Sequence, residues 1–504
     1  METGGPIVGR FLLQAAMRLR RSRALDLLDD IVTAPRASPE EVREAQFRRL
    51  SDLLAHAEAR VPYYREMFRS LGIRSCEIRS LEDFAALPVL TKAIVQERQR
   101  DLIRDDAAPD NLFECHSGGS TGVPLTFYHD RDSMAASEAG TFRNLMQCGW
   151  HPGEMIAFFW GWNDMLSRMP RWEFELRQTV RRCYHFNAFH SGPAQMERWL
   201  RKWGRLHARV ALGYASTIAR FAEYIETTGQ RIPALKGVFT TAEKLYPQQR
   251  GVISRVFGCK VYDCYGSSEV RNIAAECPHG QMHVNTDFVV LEVAPASGYP
   301  AAASSAGAAP FIVTSLWNRA MPFIRYRNED CGGLLEAGAR SAGYPPKVGV
   351  VPGCDCGSNF PLMQLDIARV NDNFVFPGGR VVHGLRFTYL MYGSEGIANF
   401  QFHQTAPDAM TLWIVPSPRG HPGSALARAR TIRGAVEQIK ALSSEGVKVE
   451  VREVEAIPLS AAGKHRFTRS DVSPSGVQGF RCSGAPADKG GPDFDFAGPE
   501  HLNT

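Results

Sequence analysis

The stretch "CHSGGSTGVP", Cys115 to Pro124, crowds Ser117, Gly118, Gly119, Ser120, Thr121 and Gly122 into consecutive positions. Such a run has no side chains with which to build a core. Its glycines let backbone N–H groups approach a ligand closely, and its hydroxyls add donors, a combination suited to a polyanion. It lacks the lysine of a Walker loop, and its spacing differs from a G-x-G-x-x-G dinucleotide fingerprint. On these residues alone a flexible surface loop is an equal alternative.

Outward from that loop, apolar runs such as "MIAFFWGW", "VALGY", "LKGVFTT" and "CKVYDCYG" alternate with helix-like stretches such as "TIARFAEYIETTG". Strands alternating with helices predict an α/β domain. Upstream, Phe47, Leu50, Leu53, Leu54 and Ala57 recur at helical spacing after a Ser38-Pro39-Glu40-Glu41 start, and Pro62 breaks the pattern. Residues 295 to 310 form an Ala/Ser/Gly/Pro insert between the expected strands "FVVLEV" and "FIVTSL". After residue 371 a hairpin "FVFPGGRVVHG", a helix "ALARARTIRGAVEQIKALSS" and a strand "VKVEVREV" predict a small α+β unit. The expected division is therefore 1–370, 371–472 and a disordered tail over 473–504 rich in Gly, Pro, Ser and Asp.

With 504 residues, 44% hydrophobic and 22% charged, the chain is long enough to bury a substantial core. The net charge of +5 is small for this length, so a nucleic-acid partner is not expected, whereas anionic small molecules are compatible with it. Eleven cysteines scattered through so long a chain do not form a secreted disulfide framework, and a reducing cytoplasm fits them better. No segment reaches the ~18 uninterrupted apolar residues of a spanning helix, so no transmembrane segment is expected. The first segment, with Arg10 and Arg18 among apolar residues, reads as a helix packed on its own domain in preference to one resting on a membrane surface.

Further motifs follow the glycine-rich loop in order: "YGSSE" at Tyr265 to Glu269, "IRYRNED" at Ile324 to Asp330, "LDIARVND" at Leu365 to Asp372 and "PLSAAGKHR" at Pro458 to Arg466. Together with the loop they resemble the adenylate-forming acyl-CoA synthetase superfamily. The runs "VPYYREMF", "LPVLTK" and "LGYASTIARFAEYI" are similar to its phenylacetate-CoA ligase and capsule-biosynthesis-type branch. The resemblance spans roughly residues 40 to 472. It implies a large lobe of mixed sheets and helices, a small ferredoxin-like mobile lid, and ATP, Mg²⁺ and CoA as reactants or cofactors. The implied reaction joins a small-molecule carboxylic acid to AMP and then passes the acyl group to CoA. A carrier-protein thiol, an amine or a sugar is the alternative acceptor, and a non-catalytic family member is a third reading.

On that resemblance the Ser117 to Gly122 loop would hold the β- and γ-phosphates. Glu269 would be the magnesium-associated carboxylate, with Gly266, Ser267 and Ser268 beside the phosphates. Tyr265, Ala242 and Glu243 would line the purine, and Asp330 would grip the ribose hydroxyls. Arg369 would contact ribose or phosphate, and Asn371 would be the hinge. Lys464 would bridge the acid's carboxylate and the α-phosphate. The sequence departs from the family pattern at Gly118, Glu329, Ala368 and Asn371. Family position also sets Phe186, Gly213 and Tyr214 near the acyl group, although core packing is the commoner fate of such aromatics.

A separate set of soft ligands stands apart from these motifs. Cys277 precedes His283 in "ECPHGQMH", and Cys354 and Cys356 sit together in "GCDCG". Three thiolates and an imidazole suit tetrahedral Zn²⁺ in a closed, structural site, with His279 and Cys331 as rival ligands.

Overall fold

The computed structural model describes residues 5–108, 111–116, 125–161, 169–188, 193–294, 309–334, 354–366, 373–377, 380–383, 387, 390–391, 396–417, 424–443, 446–458 and 466–472. The Ser117 to Gly122 loop, Ala368, Arg369, Asn371, Lys464 and the 473–504 tail lie outside the described residues, as does the side chain of Glu329.

The chain opens with helices α1 (Gly5–Leu19), α2 (Ala24–Thr33), α3 (Pro39–Arg60) and α4 (Pro62–Leu71), followed by the short α5 (Leu81–Ala85) and α6 (Lys92–Glu97). The expected start of α3 is a full capping box: the Ser38 side chain accepts the Glu41 N–H while the Glu41 carboxylate accepts the Ser38 N–H. Pro62 then ends α3 and supplies the first turn of α4, where its missing N–H costs nothing. A hairpin of β1 (Phe113–His116) and β2 (Thr126–His129) follows, with His116 opposite Thr126, so its two strands bracket positions 117–124.

Next come α7 (Arg131–Met146), β3 (Ile156–Trp160), α8 (Arg171–Arg181), β4 (Cys183–Asn187), α9 (Pro193–Leu206), β5 (Val210–Tyr214), α10 (Ala215–Thr227), β6 (Gly237–Thr241), α11 (Pro247–Phe257), β7 (Val261–Tyr265), β8 (Ala274–Glu276) and β9 (Met282–Val284). The strands form one sheet in the order β4-β3-β5-β6-β7-β8-β9, parallel from β4 to β7 and antiparallel beyond. Covered on both faces, the parallel strands can be almost wholly apolar, which is why runs such as "VALGY" lack a polar face. Their carboxyl ends align Trp160, Tyr214, Thr241 and Tyr265 along one edge, where ligands of open α/β sheets bind.

A second sheet in the order β10-β11-β12-β13 comprises β10 (Val289–Val293), β11 (Ala309–Ser315), β12 (Tyr326–Leu334) and β13 (Met363–Asp366), all antiparallel. The two strands expected to flank the Ala/Ser/Gly/Pro insert are thus direct neighbours. Arg143 on α7 fastens this region: its guanidinium pairs with Asp287 at 2.6 Å, donates to the Asn285 amide oxygen at 2.8 Å and lies over the Phe288 and Phe360 rings. So buried a charge is tolerable only because it is paired and hydrogen-bonded.

Strands β14 (Asn373–Phe376) and β15 (Arg380–His383) make the expected hairpin. Beyond it, β16 (Ile397–Ala406), β17 (Ala409–Pro416), helix α12 (Ser424–Ser443), β18 (Lys448–Glu453) and β19 (Thr468–Ser470) build a sheet in the order β18-β17-β16-β19. Its fully buried core runs from Phe374 to Val447 and shares no member with the cores on either face of the seven-stranded sheet. Phe467, beside β19, meets Tyr246 of the larger unit edge-on at 5.4 Å between ring centres. Among the described residues no helix is long and apolar enough to cross a membrane.

Candidate active site and a cysteine–histidine cluster

Tyr265 ends β7 in the seven-stranded sheet and Asp330 lies on β12 of the second sheet, yet the Tyr265 hydroxyl donates to Asp330 Oδ2 at 3.0 Å. Asn328 donates its side-chain N–H to the same phenol oxygen at 2.8 Å. Pairing with β11 shifts register between Arg327 and Cys331, and within that irregular stretch Asn328 and Asp330 both reach Tyr265. Sequence reasoning missed Asn328, since a break in strand pairing of this kind leaves no periodic signal to read.

After Tyr265 the chain turns sharply. Ser267 N–H donates to the Val270 carbonyl at 2.9 Å, and the Ser267 hydroxyl accepts the Val270 N–H at 3.0 Å, which presents Ser268 and Glu269 at the tip. His129, at the end of β2, donates Nε2–H to the Ser268 carbonyl at 3.2 Å, while its Nδ1 faces the Ser133 hydroxyl at 3.3 Å. Burial, aided by the Arg271 charge, pushes His129 down to about 3, so the imidazole is neutral and can hold this pattern at physiological pH. Cys115, immediately before the glycine-rich loop, feels both Arg271 and Glu269, although burial dominates in raising its thiol. The hairpin bracketing 117–124 and the "YGSSE" turn are therefore neighbours. Nothing in the sequence pattern signalled His129.

At the end of β6, Ala242 adopts φ +65°, a left-handed conformation costing a non-glycine residue roughly 1–2 kcal/mol. Local strain of this kind clusters at functional sites. Next to it the Glu243 carboxylate accepts the Ser216 N–H at 2.9 Å, at the start of α10, where a negative charge complements the helix dipole.

Of the three acyl-side candidates, Gly213 and Tyr214 lie at the carboxyl edge. Gly213 has φ +148°, and a Cβ there would come within 2.1 Å of the Phe159 carbonyl oxygen, so no larger residue fits. The Tyr214 ring lies 4.4 Å from Trp160, a neighbour that sequence reasoning did not single out. Phe186 is buried to 2% exposure, stacked on Phe159 and enclosed by Trp199, Trp203 and Phe221. Its side chain serves the core between the sheet and α9/α10.

The four expected soft ligands come together. Cys277, His283, Cys354 and Cys356 bring their ligand atoms within 4.8 Å of one another. Cys277 Sγ lies 3.5 Å from Cys354 Sγ, and Cys356 Sγ lies 3.4 Å from His283 Nε2. Bonds of about 2.3 Å from one ion to two sulfurs at a tetrahedral angle set the sulfurs about 3.8 Å apart, so the donor set fits such an ion. His283 Nδ1 donates to the Phe360 carbonyl at 2.8 Å, fixing the tautomer that leaves Nε2 as an electron-pair donor. Although burial opposes it, hydrogen bonds from its surroundings, among them the His279 backbone N–H, bring the Cys277 thiol down to about 6. The rivals are excluded by geometry: His279 contributes a backbone N–H to Cys277 Sγ at 3.3 Å, and Cys331 belongs to β12 opposite Asp366.

No protein-family model matches the chain. Among curated proteins it is similar to phenylacetate-coenzyme A ligase of Escherichia coli (strain K12), 27% identical over 334 residues covering 62% of this chain and 71% of that protein. It is also similar to protein CapK of Staphylococcus aureus, 20% identical over 303 residues, 57% of this chain and 62% of CapK, so that match spans less than two thirds of CapK. A crystal structure of 2-hydroxyisobutyryl-CoA ligase in the postadenylation state, in complex with R3-HIB-AMP, superposes with TM-score 0.66 at 20% identity over 87% of this chain and 91% of that one. The fold is that of adenylate-forming enzymes. In sequence the chain is similar to the phenylacetate-coenzyme A ligases among these relatives, and its motifs follow the order they take in adenylate-forming acyl-CoA ligases.

Asp263, two residues before Tyr265, lies under the site. Desolvation pushes its carboxyl up to about 7 against a hydrogen bond from Thr240, with Glu276 adding repulsion. The folded chain thus holds this proton more tightly than an unfolded aspartate, whose ordinary value is 3.8. The stability it contributes is complete below that value and is lost as pH rises through about 7. The melting temperature of Asp263→Asn relative to the parent is therefore expected to climb between about pH 5 and about pH 8. A difference that does not change with pH would contradict this assignment.

Proposed function

We propose that this chain is an ATP-dependent, AMP-forming ligase that activates a small-molecule carboxylic acid and transfers the acyl group to CoA. The observation carrying the reading is the Tyr265–Asp330 hydrogen bond at the carboxyl edge of the sheet, beside the "YGSSE" turn and the hairpin bracketing the glycine-rich loop. Asp330 accepts ribose hydroxyls while Tyr265 and Asn328 hold its geometry. The Ser117 to Gly122 backbone receives the terminal phosphates. Magnesium, when bound, neutralises phosphate charge, and Glu269 is the hard oxygen ligand offered to it.

The acid's carboxylate oxygen attacks the α-phosphorus and pyrophosphate departs. The CoA thiol, giving up its proton, then attacks the acyl carbon and AMP departs. Lys464 places a positive charge between the carboxylate and the α-phosphate, where negative charge concentrates in the first step. Arg369 contacts ribose or phosphate from the junction between the units, and Asn371 absorbs the backbone rotation that exchanges the lid between half-reactions. Gly213, Tyr214 and Trp160 flank the acyl side of the cleft. Support comes from the phenylacetate-coenzyme A ligases among the sequence relatives and from the shared fold.

The Cys277, His283, Cys354 and Cys356 cluster is proposed to hold a structural zinc ion that ties the β8–β9 turn to the segment ahead of β13. All four donors come from the protein, which leaves no open coordination position for substrate.

Acid-dependent ATP–pyrophosphate exchange across a panel of carboxylic acids, followed by CoA addition, tests the function. Exchange with at least one acid and CoA-dependent thioester formation are expected. Exchange without thioester would move the acceptor to a carrier-protein thiol, an amine or a sugar, and folded protein with neither exchange nor ATP binding would mark a non-catalytic member. Lys464→Ala is expected to lower exchange by at least about a hundredfold while transfer from presynthesised adenylate persists; equal loss of both refutes its role. For the metal, the purified protein is expected to contain one zinc per chain, and chelation to lower its melting temperature. Zinc-free protein with an unchanged melt would contradict the site.

A further inference from the structure

Nine large apolar side chains are conspicuously exposed among the described residues, and six of them sit on two neighbouring helices. On α1 these are Ile7 at 73%, Val8, Phe11 at 70% and Leu19 at 83%; on α8 they are Trp172 at 69% and Leu176. Helix α1 cannot turn this face inward. Gly9 packs so closely on Gly153 that a Cβ on Gly9 would lie 2.1 Å from the Gly153 carbonyl oxygen, and Leu13, Ala16 and Met17 are buried on the same side. Ile7, Phe11 and Arg18 follow one line along the opposite face, at offsets of four and eleven residues, with Val8 and Leu19 to one side and Arg10 to the other. On α8, Trp172 and Leu176 are four residues apart and so share a face.

Charge identifies what this surface fits. Between Glu2 and Asp26 the sequence has no acidic residue, whereas Arg10, Arg18, Arg20, Arg21 and Arg23 all fall within that interval. Arg20 is engaged with Glu138, and the side chains of Arg10, Arg18, Arg21 and Arg23 are exposed. Large apolar side chains, a tryptophan and arginines on the outer face of a rigidly seated helix match an anionic lipid–water interface, in which apolar groups enter the acyl boundary and guanidinium groups meet phosphates. We propose that the outer face of α1, with Trp172 and Leu176 of α8, is a peripheral docking surface for anionic phospholipid bilayers. It would hold the ligase against a membrane without spanning it. The inference is independent of which acid or acceptor the site uses.

Co-sedimentation of the full chain with phosphatidylcholine vesicles, with and without phosphatidylglycerol, tests it. Binding is expected only to the phosphatidylglycerol-containing vesicles and should weaken as salt rises. Ile7→Glu/Phe11→Glu and, separately, Arg10→Glu/Arg18→Glu should each cut the bound fraction at least about fivefold while keeping the parent's melting temperature and ATP–pyrophosphate exchange. Absence of binding by the parent, or equal binding by parent and variants, overturns the proposal. Self-association that Ile7→Glu/Phe11→Glu abolishes, with no vesicle binding, also overturns it by assigning the face to a second copy of the chain.

Discussion

The hydrogen bond from Tyr265 to Asp330 is a side-chain link between the two sheets of the larger unit, which also share one apolar core, and the candidate nucleotide site lies where they meet. A hydrogen bond to a carboxylate contributes about 1.5–3 kcal/mol. Its larger effect is geometric. It fixes one carboxylate oxygen, through a phenol that Asn328 also holds, at the edge where the parallel strands end. Breaking it would cost the buried Asp330 carboxylate this donor.

Around that junction further polar side chains hold the neighbouring parts in place. His129 holds the Ser268 carbonyl from the hairpin that brackets the glycine-rich loop. Asp130, beside it, caps α7 through the Ser133 N–H and accepts the Arg319 N–H ahead of β12. Glu243 ties the segment after β6 to α10. The cysteine–histidine cluster does comparable work farther away: His283 on β9 pairs with Leu362, and Cys277 meets Cys354, so the β8–β9 turn is tied to the segment leading into β13.

Where hydrophobic pattern and special residues act locally, the sequence was readable. Ser38, Glu41 and Pro62 dictate the ends of α3 and α4 through caps and a missing N–H, and the apolar runs of β5, β6 and β7 follow from burial on both faces. The spacing of Cys277, His283, Cys354 and Cys356 was legible as a donor set, whereas the rejection of His279 and Cys331 needed the hairpin register that turns one imidazole in and offers only a backbone N–H from the other. Phe186 shows the limit on the acyl side. Strand periodicity states that alternate residues face opposite ways, but which face meets the α9/α10 core is settled by long-range packing. His129 was invisible for the same reason, since its partner Ser268 is 139 positions away.

A crystal structure of the chain with ATP and magnesium tests the nucleotide site at this junction. The ribose hydroxyls are expected within hydrogen-bonding distance of Asp330, the phosphates against residues 117–122 and the magnesium on the Glu269 carboxylate. Nucleotide bound elsewhere, with Asp330 still closed on Tyr265 and Asn328 and facing no ligand, would contradict it.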